Sequence, residues 1–78
     1  MINKDIFLEK FKLLFDETDP KLINFQTKFK DLEEWNSLII LSLIVLCEED
    51  FQISISPNQI ENSKTVNNLI DSLDRNLS

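Results

Sequence analysis

Few side chains in this chain could do chemistry: the hydroxyl of Ser37 at the head of a long apolar run, the single thiol of Cys47, and two groups of carboxylates. The carboxylates gather at Asp31, Glu33 and Glu34, and again at Glu48, Glu49 and Asp50. There is no His. Without imidazole and with one Cys, neither the usual zinc-ligand sets nor Ser/His/Asp and Cys/His nucleophile arrangements can be assembled, so no metal site and no catalytic residue is expected. Gly is absent as well, which removes phosphate-cradling loops such as GxGxxG and the Walker A pattern, since both need close backbone approach. Cys47 has no basic neighbour to stabilise a thiolate and reads as a small buried or half-buried apolar residue. On its residue type alone, Ser37 is a helix cap.

Helices must position these groups. Ile6, Phe7, Phe11, Leu14 and Phe15 recur near helical spacing among Lys4, Glu9, Lys10 and Lys12, which predicts an amphipathic helix over roughly residues 3–16. The acidic stretch Asp16-Glu17-Thr18-Asp19 and Pro20 end it. Residues 17–36 then form a connection longer than loops usually are in compact domains. Ile23, Phe25, Phe29 and Leu32 are large apolar residues, unexpected in a floppy linker, so the loop is expected to be ordered and pinned to the core.

The second helix begins at Asn36 or Ser37, both good cap types, and runs to Phe51; its Ile and Val could suit a strand, but nothing alternates with period two. Ser56 followed by Pro57 predicts a brief third helix ending near Glu61. Thr65 caps a last helix in which Val66, Leu69, Ile70, Leu73 and Leu77 share one face. The expected fold is all-α: a small bundle of three longer helices plus one short helix, with a long ordered loop after the first. One domain over residues 1–78 is expected, because so short a chain buries only about 60% of its unfolded surface.

The net charge of −6 would be repelled by nucleic-acid phosphates and anionic lipid heads, so the partners are expected to be proteins with basic surfaces and not nucleic acid. The longest apolar run, Leu38 to Cys47, is interrupted by Ser42 and too short for a membrane span. Met1 to Asp5 leads into an amphipathic stretch and does not read as a signal peptide. A cytoplasmic monomer is expected.

The second helix is apolar on nearly every side, which a domain of this size cannot bury all round. The face bearing Ile40, Leu43 and Cys47 differs from that bearing Leu38, Leu41, Val45 and Leu46, and only one can fully face the core. The expectation is that part of the first, together with Ile39, is exposed to a partner.

At Phe29-x-x-Leu32-x-x-Trp35-Asn36-Ser37-Leu38 the chain resembles the modification site of the acyl and peptidyl carrier protein superfamily, an apolar anchor followed by Asp-Ser-Leu at the start of the second helix. Leu46-x-Glu48-Glu49-x-Phe51-x-Ile53-x-Ile55 resembles the stretch that follows in that family, and Thr65-Val66 its opening of the final helix. The resemblance covers nearly the whole chain. It departs at Asn36, where the family has Asp, and at Ile39, Ile40 and Ser42, where many carriers have acidic residues.

The resemblance implies that Ser37 carries a covalent 4'-phosphopantetheine arm, on which an acyl or aminoacyl group rides as a thioester. Free backbone N–H groups and the positive end of a helix dipole suit the phosphodiester anion so formed. The partners it implies are a phosphopantetheinyl transferase, an acyl- or aminoacyl-loading ligase or transferase, and downstream biosynthetic enzymes. Asn36, Leu38, Ile39, Ile40, Leu43, Glu48 and Glu49 are the residues expected to meet them. Trp35 before the serine is found among carriers outside central fatty-acid synthesis, which implies a specialised pathway. The alternative is a helical interaction module that is never modified and uses its second helix as a hydrophobic partner surface.

Overall fold

The computed structural model describes residues 2–77; Met1 and Ser78, the two ends of the expected domain, lie outside the described residues. Four α-helices follow one another: α1 (Lys4–Lys12), α2 (Ser37–Phe51), α3 (Pro57–Asn62) and α4 (Val66–Leu77). Two short 3-10 turns, Pro20–Leu22 and Phe29–Asp31, punctuate the long α1–α2 connection. The architecture is the expected all-α bundle, and no strand occurs among the described residues.

α1 starts where the Asn3 side chain accepts the Ile6 N–H at 3.1 Å, one residue inside the expected start. It ends earlier than its periodicity implies. Leu13, Leu14 and Phe15 turn more tightly, their N–H groups reaching back three residues to the Lys10, Phe11 and Lys12 carbonyls. Phe15 is buried at the end of that turn.

α3 has a full capping box, with the Ser56 hydroxyl accepting from the Gln59 N–H and the Gln59 side chain from the Ser56 N–H. Thr65 and Asn68 make the same reciprocal exchange at the start of α4. α2 closes on Gln52 in the left-handed region (φ 55°, ψ 39°), from which the Ile53 N–H turns back to the Cys47 carbonyl at 3.0 Å.

The core is one cluster. Phe7, Leu8 and Phe11 of α1, Ile39, Leu43 and Cys47 of α2, Ile60 of α3, and Val66, Leu69, Ile70 and Leu73 of α4 close on one another. Ile23 and Phe29 from the long loop, and Ile53 and Ile55 from the α2–α3 link, complete it. The loop is ordered as expected: Ile23 and Phe29 are buried, Phe25 and Leu32 pack against the cluster, and the Thr27 and Phe25 carbonyls accept the first N–H groups of α4.

The expected orientation of α2 is corrected. Ile39 (5% exposed) and Leu43 (0%) lie in the core beside Cys47, and Ile40 is half-buried, so this face is not the one offered to a partner. The exposed side holds Leu38 (70%), Leu41 (60%) and Val45 (55%). The reason lies in the spacing. Ile39, Ile40, Leu43, Ile44, Leu46, Cys47 and Phe51 form the wider apolar arc, whereas Leu38, Leu41 and Val45 share their side with Ser42, Glu48 and Glu49. Turning the arc that contains two carboxylates inward would bury charge.

Candidate functional site

Ser37 is the first residue of α2, and Asn36, not Ser37, is its cap. The Asn36 side chain accepts the Ile39 N–H at 3.0 Å, while its carbonyl accepts the Ile40 N–H at 3.1 Å. Capping by the neighbour leaves Ser37 free of that duty. Its side chain is exposed, and its hydroxyl enters no hydrogen bond among the described residues. The Ser37 and Leu38 N–H groups precede the first intrahelical donor, as at any helix start, so two backbone donors and the positive end of a 15-residue helix face solvent beside the hydroxyl.

Three consecutive residues fix the chain just ahead of this serine. The Asn36 cap is one. Trp35 is the second: its ring stacks on Phe15 at 6.4 Å between centroids and meets Phe29 edge-on at 4.9 Å, and its N–H reaches the Leu32 carbonyl at 3.0 Å. The half-buried indole thus anchors the end of the long loop to the core.

Glu34 is the third. Its carboxylate accepts the backbone N–H groups of Asp16 (2.7 Å), Glu17 (3.0 Å) and Thr18 (2.9 Å), together with the Thr18 hydroxyl (2.8 Å). Partial burial works to raise its pKa, but these four hydrogen bonds outweigh that and hold the carboxyl below its ordinary value. It is therefore ionised at neutral pH. Of the carboxylates that gather before the serine, Asp31 and Glu33 are exposed, but Glu34 is half-buried and turned inward to α1's exit. No local pattern marks that role, since its donors lie 16 to 18 residues back along the chain.

Among the other expected site residues, Asn36 and Leu38 flank Ser37 on the exposed surface, whereas Ile39, Ile40 and Leu43 do not join them. Glu48 and Glu49 are exposed at the far end of α2, about 17 Å from Ser37 at 1.5 Å per residue. Asp50 is partly engaged by Lys10 at 3.2 Å, a pair that ties α2 to α1 at the surface. Leu41 and Val45 were missed as surface residues, although Glu48 and Glu49 share their helical side and were the signal for it.

Cys47 lies fully inside, and burial, with the Glu48 charge adding to it, pushes its thiol up to about 12. It stays neutral and inert at physiological pH. Among the described residues no group of three or more His, Cys, Asp or Glu is placed to hold a metal ion, and no helix is long and apolar enough to cross a membrane.

This geometry suits a group that arrives from outside and leaves an anion behind: an accessible hydroxyl on a fixed stem, backbone donors at its side, and, among the described residues, no base hydrogen-bonded to it. A covalent phosphodiester fits there. The chain's residues 5–73 match the family described as "Phosphopantetheine attachment site". It is also similar to the acyl carrier protein of Aster yellows witches'-broom phytoplasma (strain AYWB), at 35% identity over 60 residues, covering 77% of this chain and 79% of that protein. The acyl carrier protein of Phytoplasma australiense is 32% identical over 74 residues, covering 91% and 97%.

Proposed function

The chain belongs to the phosphopantetheine-bearing carrier protein family, and on that footing we propose that Ser37 is the residue that holds the arm. Members of this family carry cargo and do not catalyse, and the prosthetic group is 4'-phosphopantetheine, covalently attached. The observation that carries the assignment to Ser37 is its position: exposed, unbonded and first in α2, between a fixed stem and an exposed apolar stripe.

The arm comes from coenzyme A: the Ser37 hydroxyl oxygen bonds to the phosphorus that bears pantetheine, the pyrophosphate P–O bond breaks, and the adenosine bisphosphate leaves. The hydroxyl proton passes to a base of the transferase, with the α2 N-terminus beside the new charge. When attached, the arm supplies the terminal thiol on which cargo is held as a thioester. The rest of the work done by this chain is presentation. A tethered group meets successive active sites at raised effective concentration, and the protein's contribution is to hold the tether's root still.

The transferase that adds the arm and the enzymes that load and use it must recognise the surface around Ser37. We assign that surface to Asn36, Leu38, Leu41 and Val45, with Glu48 and Glu49 at its distal end. The three apolar residues are spaced three and four apart, so they form one continuous strip running from the serine. The carboxylates at the end of the strip orient a partner with a basic rim.

The cargo in this reading is an acyl or aminoacyl group of a specialised pathway. The names of the phytoplasma relatives favour acyl, while Trp35 and the apolar first turns of α2 favour a restricted set of partners. The whole chain acts as one carrier domain, a monomer of the cytoplasm. The test is intact mass after incubation with coenzyme A and a promiscuous phosphopantetheinyl transferase. The native sequence gains one arm and Ser37→Ala gains none; an unchanged native mass, or an arm on the Ser37→Ala variant, removes the assignment.

A further inference from the structure

We infer that Glu34 is a positioning residue for arm transfer, holding the root of Ser37 in the geometry a transferase accepts; this rests on the reading of Ser37 as the attachment residue. The four hydrogen bonds to its carboxylate all come from residues 16–18, immediately after the turn that ends in Phe15. Trp35, the next residue, stacks on that same Phe15. The exit of the first helical segment and the stem of the serine are therefore stitched twice, once by a carboxylate in a cup of N–H groups and once by an aromatic pair.

The two contacts differ in what they fix. The indole packs through an apolar face that tolerates sliding, whereas three convergent N–H groups define where a carboxylate must sit. Asn36 adds a local cap, but a cap fixes Ser37 relative to α2 and not α2's first turn relative to the rest of the domain. Glu34 shares that second task with the buried Ile39 and the Trp35 ring, and is the one of the three that fixes position through directed hydrogen bonds. The cup itself lies in an acidic stretch, Asp16-Glu17-Thr18-Asp19, where another carboxylate would be repelled unless the N–H groups claimed it.

A looser stem places only a fraction of the molecules in the accepted geometry, so the apparent affinity for the transferase falls by that fraction while the step after binding is unchanged. Glu34→Ala is therefore expected to raise the transferase KM for this chain about tenfold, corresponding to about a tenth of the molecules in the accepted geometry, and to leave kcat near the native value. Glu34→Gln keeps one acceptor oxygen in the cup and is expected to rescue part of the loss. Thr18→Val removes one donor of four and is expected to have the smallest effect.

Trp35 is the single Trp, so its fluorescence anisotropy reports the stem directly in the folded protein. A faster local decay in Glu34→Ala, at a temperature where circular dichroism shows it folded, is the expected companion result; an effect on global stability alone would not produce it. Should Glu34→Ala not fold, Glu34→Gln and Thr18→Val carry the same comparison. A native KM and native Trp35 anisotropy in the variants overturn the role of Glu34 while leaving Ser37 in place. Failure of the native chain to be loaded on Ser37 overturns both.

Discussion

Placing a carboxylate on α2 at position 39 and at position 41 should have opposite consequences, although the two residues are two apart in the same apolar run. Ile39 is 5% exposed and Leu41 60%. Ile39→Glu forfeits about 1.5–3 kcal/mol of apolar burial. It also either sets an unpaired ion in the core, at an effective penalty of several kcal/mol, or keeps the group protonated at a comparable cost. The sum is upward of about 5 kcal/mol. A domain of this length has a total stability of roughly 4–12 kcal/mol, at about 0.05–0.15 kcal/mol per residue. Ile39→Glu is therefore expected to be largely unfolded or to melt far below the native chain.

Leu41→Glu exchanges one good helix former for another at the surface and should stay within about 0.5 kcal/mol of native stability. Its effect is expected in function, as slower arm transfer and weaker use by partner enzymes, because it breaks the strip between Leu38 and Val45. Urea unfolding followed by circular dichroism measures the first effect, and transferase kinetics the second. Native-like unfolding of Ile39→Glu, or early unfolding of Leu41→Glu, would mean that α2 packs by the other face and would refute the reasoning.

Other substitutions probe the local chemistry. Asn36→Ala removes the acceptor for the Ile39 N–H and is expected to cost about 1 kcal/mol in the urea midpoint, while Asn36→Asp keeps the cap and loses nothing. Gln52→Gly relieves a left-handed residue that has a Cβ and should raise stability by up to about 1 kcal/mol, read from the same unfolding curves. The Cys47 thiol, ordinarily near 9.0, is pushed up to about 12 in the fold, so folding favours its protonated form. Its contribution is whole below pH 9.0 and is lost as pH rises from there towards about 12, at about 1.4 kcal/mol per pH unit. The difference between native and Cys47→Ala unfolding free energies should shrink across that window.

Much of the fold was legible because local signals agreed. The Ser56-Pro57 start of α3, the Thr65 cap, the apolar spacing in α4 and the anchors Ile23 and Phe29 each act over a turn or two, and each took the expected place. The run from Leu38 to Cys47 was harder, since a helix apolar on nearly all sides does not announce its inner face. The decision came from Glu48 and Glu49 at its far end, whose charge keeps the side of Leu41 and Val45 in water. Glu34 was not legible at all. A carboxylate that accepts from residues 16–18 is a product of tertiary folding, and in sequence it looks like any acidic loop residue.

The most direct test of Ser37 as the root of the arm is peptide mass spectrometry on the chain isolated from its own host. The proteolytic peptide containing Ser37 is expected to carry one phosphopantetheine, and the remaining mass on its thiol identifies the cargo. A native protein whose Ser37 peptide is unmodified, with the arm absent or on another serine, would contradict the account.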